Sequence, residues 1–134
     1  MPHVVVQYTA NLEAEVDMPA LCQEIAVVLV EQKDEAGAPL FPVGGTRVLA
    51  YPSRVYAVAD GKADYGFCYI NIRIAGGRSD AAKKRSGDAV LARVRARFAS
   101  AFAKKRVGVT VQIDESPGQV YDAKHSNLHP LFNK

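Results

Sequence analysis

The sequence predicts an α+β fold of the α/β-like kind, in which tandem β-α-β units form a four-stranded mixed sheet with two helices on one face. Strand-like and helix-like segments occur in the same order twice, in half-repeats of about residues 2–60 and 61–116. Each unit should pair its two strands in parallel through a right-handed crossover. The length of 134 residues, of which 49% are hydrophobic, suits one buried core. We therefore expect a single domain over residues 1–134, closed by a C-terminal docking segment over 117–134.

The first half-repeat opens with a strand and continues with a helix. Residues 3–8 are rich in β-branched and aromatic side chains, which favour a strand. Asp17 is a suitable N-cap, Pro19 fits a first helical turn, and apolar residues then recur at three- and four-residue spacing. We predict a helix that ends near Lys33. Glycines and prolines are concentrated in residues 34–45, which predicts a loop.

The second and third strands are predicted from apolar patterns of unequal clarity. Short apolar runs at residues 47–50 and 55–58, separated by Pro52, predict a second strand that is broken or bent. Residues 65–74 alternate strictly between two kinds of side chain. One side of this segment is aliphatic or thiol-bearing and consists of Cys68, Ile70, Ile72 and Ile74. The alternation predicts the third strand.

A capped helix and a last strand complete the second half-repeat. Ser79 can cap the helix, which should end near residues 104–106, where cations favour the negative end of the helix dipole. The residues expected on its buried face are Val90, Leu91, Val94, Phe98 and Phe102. Apolar residues then alternate from Val107 to Ile113, which predicts the fourth strand before Pro117.

Two helices on one face leave the other face of the sheet uncovered. Tyr65, Phe67 and Tyr69 lie on the side of the third strand opposite its aliphatic residues, so both faces of this strand have the character of buried surface. Other subunits are the simplest cover, and we predict an oligomer. The apolar segment 127–132 should dock on its own or on a neighbouring subunit.

The charge balance favours a small anionic ligand over nucleic acid. The chain has 17 Lys and Arg against 14 Asp and Glu, a net charge of +3, far below the basic excess of a dedicated nucleic-acid binder. An alternative is an RNA-binding module, suggested by basic clusters at residues 83–85 and 104–106 and by the aromatic strand face. We interpret both clusters as solvated helix surface and expect no nucleic-acid partner.

Membrane, metal and nucleotide sites are not predicted. No segment reaches the roughly 20 apolar residues of a membrane helix, and the N-terminus lacks the pattern of a signal peptide. We expect no membrane partner and a cytoplasmic location. The two cysteines, Cys22 and Cys68, are isolated and expected as buried thiols, and His3, His125 and His129 lack metal-ligand spacing. The Gly76–Gly77 pair belongs to no complete phosphate-binding pattern.

Pro2 is the first candidate catalytic residue. A small residue after Met1 allows removal of the initiator, which leaves a secondary amine at the start of a buried strand. An α-amino group titrates near 8, and burial beside cations lowers its pKa further. Met-Pro starts also occur merely as efficient processing signals, so this interpretation depends on the surrounding residues. With that support, Pro2 is predicted to act as a general base.

Arg47 and Arg78 supply that context. Both follow glycine-rich turns at matching places in the two half-repeats, and glycine permits close approach of a ligand. The planar guanidinium binds a carboxylate through two parallel hydrogen bonds and stabilises a developing dienolate. Each alone would be read as a solvated surface arginine. Together with Pro2 they predict a site for a small unsaturated carboxylate.

Three segments carry a resemblance to a known family. The opening PHVVVQYTANL, the central DGKADYGFCYINIRIAGGRS and the closing HSNLHPLF together resemble the 5-carboxymethyl-2-hydroxymuconate isomerases of the tautomerase superfamily. The resemblance spans nearly the whole chain and implies a tautomerase-like homotrimer that works without a cofactor.

The resemblance also implies a reaction and its residues. Pro2 would be the acid-base catalyst, and the two substrate-binding arginines of the family would fall on Arg47 and Arg78. The implied activity is ketonisation of 5-carboxymethyl-2-hydroxymuconate or a similar unsaturated 2-hydroxy or 2-oxo acid, in the breakdown of homoprotocatechuate and related aromatic compounds. A non-enzymatic binding or signalling trimer of the same fold is the alternative.

Overall fold

The computed structural model describes residues 1–132, which form one four-stranded mixed sheet with helices on one side. The strands are β1 (His3–Thr9), β2 (Arg47–Ser53), β3 (Gly66–Ala75) and β4 (Val107–Ser116). Their order in the sheet is β2-β1-β3-β4. The pairs β1–β2 and β3–β4 are parallel, whereas the central pair β1–β3 is antiparallel. The predicted arrangement of two β-α-β units is therefore confirmed.

The first helix, α1 (Met18–Val30), begins where the sequence predicts. The Asp17 carboxylate accepts a hydrogen bond from the backbone N–H of Ala20 at 3.0 Å, and Pro19 lies in the first turn. The helix ends three residues before the predicted Lys33, since the chain there turns into a loop closed by a bridge between Lys33 and Pro39.

The long helix of the second unit is divided in two. It comprises α2 (Asp80–Arg97), capped by the Ser79 hydroxyl, and α3 (Ala99–Lys104). At Phe98 the backbone leaves helical geometry, with φ −92° and ψ 0°. The expectation that Leu91 and Phe102 belong to the buried face was wrong, because Leu91 is 37% exposed and Phe102 is 56% exposed. The residues of these helices that face the core are Val90, Val94, Phe98 and Ala101.

The second strand also differs from its prediction. β2 runs without interruption through Pro52, because it is an edge strand where a missing N–H is tolerated. No strand forms at residues 55–58, where Val55 is 93% exposed. Proline therefore marks the sheet edge here and does not break the strand.

The core lies between the helices and one face of the sheet. Alternate residues of β1 and β3 point into it and pack against α1 and α2. The fully buried strand residues are Val4, Val6, Cys68, Ile70 and Ile72. The opposite face, which we call the open face, carries the intervening residues and includes the partly exposed Leu49, Tyr51 and Phe67. The predicted uncovered face is thus present in the single chain.

The C-terminal segment returns to the start of the chain. Residues 117–128 are exposed, and a short turn at His129–Leu131 lies against Gly44 and the end of the 34–45 loop. The last two residues of the predicted docking segment 117–134 lie outside the described residues. Leu131 and Phe132 keep at least half of their surface exposed in this single chain.

The basic clusters engage acidic neighbours. The ion pairs of the described residues that involve these lysines are Lys83 with Asp80 and Glu115, Lys84 with Asp88, Lys104 with Glu15, and Lys105 with Asp64. Four of the six basic residues are therefore locally neutralised, which agrees with solvated helix surface. No helix among residues 1–132 has the length and apolar character that crossing a bilayer requires.

Candidate active site

The N-terminus lies at the end of the central strand β1. Pro2 is buried, and its carbonyl oxygen accepts a hydrogen bond from the backbone N–H of Arg47 at 3.3 Å. Because β1 is held by β2 on one side and β3 on the other, the position of this residue is fixed by the sheet. A group placed here does not move independently of the core.

Arg47 begins β2 and lies beside the N-terminus in the parallel register, opposite His3. Its Nε donates to Nδ1 of His3 at 2.9 Å, and its Nη1 donates to the carbonyl of Gly45 at 3.3 Å. Burial, followed by the charge of Arg47, lowers the pKa of His3. A neutral imidazole is the form that can accept from Arg47, so the two residues orient each other.

Arg78 follows β3 and reaches toward the same end of the sheet. Its Nε donates to the Leu40 carbonyl at 3.1 Å, and its Nη1 donates to the Ala75 carbonyl at 2.8 Å. The guanidinium lies 4.8 Å from the ring centroid of Phe41, a side chain only 1% exposed. Within residues 1–132, Nη2 contacts no protein acceptor, so one edge of the guanidinium is free to bind an anion.

The N-terminal amine responds to this environment. Burial lowers the pKa of the Met1 amino group from its usual 8.0, and the charges of Arg78, Arg47 and Lys124 lower it further, in that order. Both arginines predicted from the sequence therefore act on the charge of the N-terminus. An amine here loses its proton more readily than one in water.

A cleft of about 440 Å³ opens beside this amine. It lies at the end of the sheet where β1 and β2 begin and β3 and β4 end. The residues that line it are Met1, His3, Arg47, Arg73, Ile74, Ala75, Ser116, Gln119, Asp122 and Lys124. Among the described residues that line it, Arg47, Arg73 and Lys124 are opposed by Asp122, so the cleft carries an excess of positive charge and suits an anionic ligand. Arg78 lines a separate pocket with Leu40, Ala75 and Ser79.

The Met1 side chain occupies a narrow slot next to the cleft. Its sulfur lies 3.4 Å from Nε2 of His129, and a Cβ added to Gly45 would collide with the Met1 side chain. Glycine at position 45 therefore provides the space for Met1. Removal of Met1 would open this slot toward Pro2.

Several residues at the site were not predicted from the sequence. Phe41 supports Arg78, and His3 orients Arg47, whereas His129 and Lys124 come from the C-terminal segment. The position of His3 in the same strand as Pro2 was a usable signal. The C-terminal residues have no periodic pattern that would place them.

A buried Pro2 at the start of the central strand of a β-α-β-β-α-β sheet, with Arg47 beside it, is the arrangement that the sequence resemblance to an isomerase of the tautomerase type predicts. Comparison with known proteins is more specific. The family model of the 5-carboxymethyl-2-hydroxymuconate isomerases matches residues 2–132. The chain belongs to this family.

Individual relatives agree with the family assignment. The chain is 26% identical over 132 residues to the 5-carboxymethyl-2-hydroxymuconate Delta-isomerase of Escherichia coli. The alignment covers 98% of this chain and 99% of the relative. The crystal structure of a 5-carboxymethyl-2-hydroxymuconate delta-isomerase matches this fold with a TM-score of 0.94, and its sequence is 45% identical to this chain. The match covers 100% of this chain and 94% of the other. A second, from Deinococcus radiodurans R1, is 34% identical with a TM-score of 0.86, covering 99% and 95%. The chain is accordingly an isomerase.

Proposed function

We propose that this isomerase ketonises 5-carboxymethyl-2-hydroxymuconate or a similar unsaturated 2-hydroxy or 2-oxo acid, with Pro2 as acid-base catalyst. The single observation that carries the proposal is the burial of Pro2 at the start of the central strand, beside Arg47 and next to a cleft with an excess of positive charge. The pKa of the Met1 amino group at this place, lowered by burial and by Arg78 and Arg47, supports it. The substrate class follows from the names of the family and its relatives.

Met1 must leave before Pro2 can act. While Met1 is present, the Pro2 nitrogen is a tertiary amide without a basic lone pair. After removal, the free secondary amine would lie one residue further into the sheet, within the same burial and the same cations. We infer that its pKa is also lowered, so that the neutral base is populated near neutral pH.

The reaction then needs one proton to move. The Pro2 nitrogen takes the hydroxyl proton of the dienol, the enol carbon–oxygen bond becomes a carbonyl, and the conjugated double bond shifts. The protonated amine returns the proton to the carbon that receives the electron pair. No net oxidation occurs, and Pro2 ends the cycle as the neutral amine.

The arginines hold the substrate and its charge. Arg47 lines the cleft, and Arg78, which lines a separate pocket, keeps a free guanidinium edge while its charge acts on the N-terminal amine. Each suits a substrate carboxylate, and their positive charge stabilises the dienolate between the two proton transfers. Because Leu40, Ala75 and Phe41 hold Arg78 in advance, little reorganisation is needed on binding.

We further propose that the enzyme is a homotrimer that acts in the cytoplasm, in the breakdown of homoprotocatechuate or related aromatic compounds. The trimer is supported by the apolar residues left on the open face, among them Leu49, Tyr51 and Phe67. The pathway is supported only by the substrate that the family name gives.

The test is ketonisation of 5-carboxymethyl-2-hydroxymuconate, followed by ultraviolet absorbance with protein whose Met1 has been removed. Pro2→Ala should lower kcat by about 10²- to 10⁴-fold, the usual range for general acid-base catalysis. Arg78→Ala should lower kcat/KM by about 10²-fold or more. Arg93→Ala, on the exposed side of α2, serves as control and should behave as the wild type.

Two results would contradict the proposal. Wild-type protein that does not exceed the buffer rate would favour the alternative of a non-enzymatic binding trimer. Full activity in Pro2→Ala would refute the role of proline. Thermal unfolding of each variant distinguishes a lost catalytic group from a lost fold.

A further inference from the structure

Two cations that line the cleft, Arg73 and Lys124, have no role in the proposed mechanism, and of these two only Lys124 acts on the charge of the N-terminal amine. Lys124 lies in the exposed segment after β4, yet this segment brings it to the cleft that Met1 and Arg47 also line. Its side chain is 42% exposed, and its Nζ lies 2.9 Å from Oδ2 of Asp122. The lysine therefore has both access to solvent and a position at the site.

The Asp122 pair does not remove Lys124 from use. Ion pairs between partly exposed side chains are weak because water and salt screen both charges. A substrate carboxylate in the cleft can replace Asp122 as the partner of the ammonium group. The charge of Lys124 reaches the N-terminal amine, whose pKa it lowers together with Arg78 and Arg47. The three cations thus act around one point.

The substrate of the proposed function carries three carboxylates. A muconate carries a carboxylate at each end of its diene, and the carboxymethyl group adds a third. Arg47 and Arg78 can each engage one carboxylate by a bidentate contact. One carboxylate then remains, and it sits on a flexible methylene arm that suits a long, rotatable lysine side chain better than a fixed guanidinium.

We propose that Lys124 binds the carboxymethyl carboxylate and selects tricarboxylate dienols over dicarboxylate ones. This inference rests on the proposed function and adds the determinant of substrate choice. Lys124 is a specificity residue in this account: it contacts a part of the substrate that does not react. Its loss should therefore weaken binding of the triacid and leave the proton transfer to Pro2 intact.

The experiment compares two substrates, 5-carboxymethyl-2-hydroxymuconate and 2-hydroxymuconate, which lacks the carboxymethyl group. Lys124→Gln should lower kcat/KM for the triacid by about ten- to a hundredfold, as expected for a charged hydrogen bond, mainly through KM. The diacid, measured on the pH plateau where the Pro2 amine is neutral, should change by less than about twofold. Lys124→Arg should recover most of the selectivity, and Lys62→Gln, in the exposed loop that follows the opposite end of β2, should alter neither substrate.

The remaining outcomes overturn the inference in distinguishable ways. An equal fall for both substrates would mean that Lys124 acts only through its field on the Pro2 amine. Unchanged kinetics with both would mean that Lys124 contacts no substrate. Failure of the wild type on both substrates would refute the proposed function itself, and this inference with it.

Discussion

At the residue scale, the proposed chemistry depends on the environment of the N-terminal nitrogen. The amino group of Met1, one residue before Pro2, is partly buried, and the positive charges of Arg78, Arg47 and Lys124 act on it. Each of these influences disfavours the protonated form. In the proposed mechanism, the same cations that attract an anionic substrate would also favour the neutral form of the base that acts on it. The proposal thus couples substrate binding and base activation through charge.

This coupling predicts a pH dependence. If the neutral amine is the base, as we propose, kcat/KM should rise with pH through the pKa of the Pro2 amine and level off above it. Because Arg78 lowers the pKa of the terminal amine, Arg78→Ala should move this rising limb to higher pH. Arg78→Lys keeps the charge and should leave the limb nearly in place. Profiles of kcat/KM against pH test this, and an unmoved limb in Arg78→Ala would contradict it.

Phe41 is predicted to position Arg78. The ring lies under the guanidinium, and such stacking stabilises a cation by about 0.5–2 kcal/mol. Phe41→Leu should therefore raise KM several-fold while kcat changes less. Phe98→Leu is a matched control, because Phe98 is equally buried at 1% exposure but packs in the α2–α3 stripe. Both variants should lose stability to a similar extent, and an equal rise of KM in both would argue against a specific role for Phe41.

The residues of the site were predictable to different degrees. Pro2, Arg47 and Arg78 follow from their places at a chain start and after glycine-rich turns, which the local sequence contains. The support of Arg78 by Phe41 and the Leu40 carbonyl joins positions almost forty residues apart in sequence. Tertiary packing of the 34–45 loop creates that contact, and no local pattern encodes it.

At the element scale, periodicity predicted β3 and β4 better than it predicted β2 or the second helix. β3 alternates because one face meets the helices and the other does not, so its pattern reports its structure directly. β2 lies at the edge, where Pro52 is tolerated and the apolar pattern is weak. The irregular backbone at Phe98 was not predictable, since the residues around it form a continuous helical pattern.

The start of α2 offers a test at this scale. The Ser79 hydroxyl accepts from the backbone N–H of Ala82 at 3.1 Å and also contacts the Glu35 carboxylate of the 34–45 loop. Ser79→Ala should lower the free energy of unfolding by about 1 kcal/mol, the usual effect of losing an N-cap.

Ser100→Ala, at an exposed position within α3, is the control and should leave the free energy of unfolding within about 0.5 kcal/mol of the wild type. Urea denaturation measures both variants. Equal midpoints for Ser79→Ala and the wild type would show that the cap does not stabilise the fold.

At the scale of the whole molecule, the sheet has one covered and one open face. The open face is polar at the end near the N-terminus and apolar at the other end, where Tyr51 and Phe67 lie. Apolar surface of this kind favours association. Association would also enclose the cleft further, because the cleft opens at the polar end of the same face.

A charge on the open face should therefore prevent assembly. Leu49→Lys places an ammonium among residues that we expect between subunits, and burying it unpaired is unfavourable. The variant should elute as a monomer of 14.5 kDa in size-exclusion chromatography with light scattering, and the wild type at about three times that mass. Leu91→Lys is the matched control, because Leu91 on α2 is 37% exposed and Leu49 is 36% exposed. An unchanged mass for Leu49→Lys would contradict the predicted trimer.

The central claim is that the free amine of Pro2 performs the reaction, and removal of Met1 tests it most directly. Protein released from an N-terminal fusion by a protease, so that Met1 is retained, can be assayed for ketonisation before and after treatment with a methionine aminopeptidase, with intact mass as the check on processing. We predict a rate near that of buffer before treatment, and a rise in proportion to the fraction of chains that begin at Pro2. Equal rates in the two forms would contradict the claim and place the catalytic base elsewhere in the cleft.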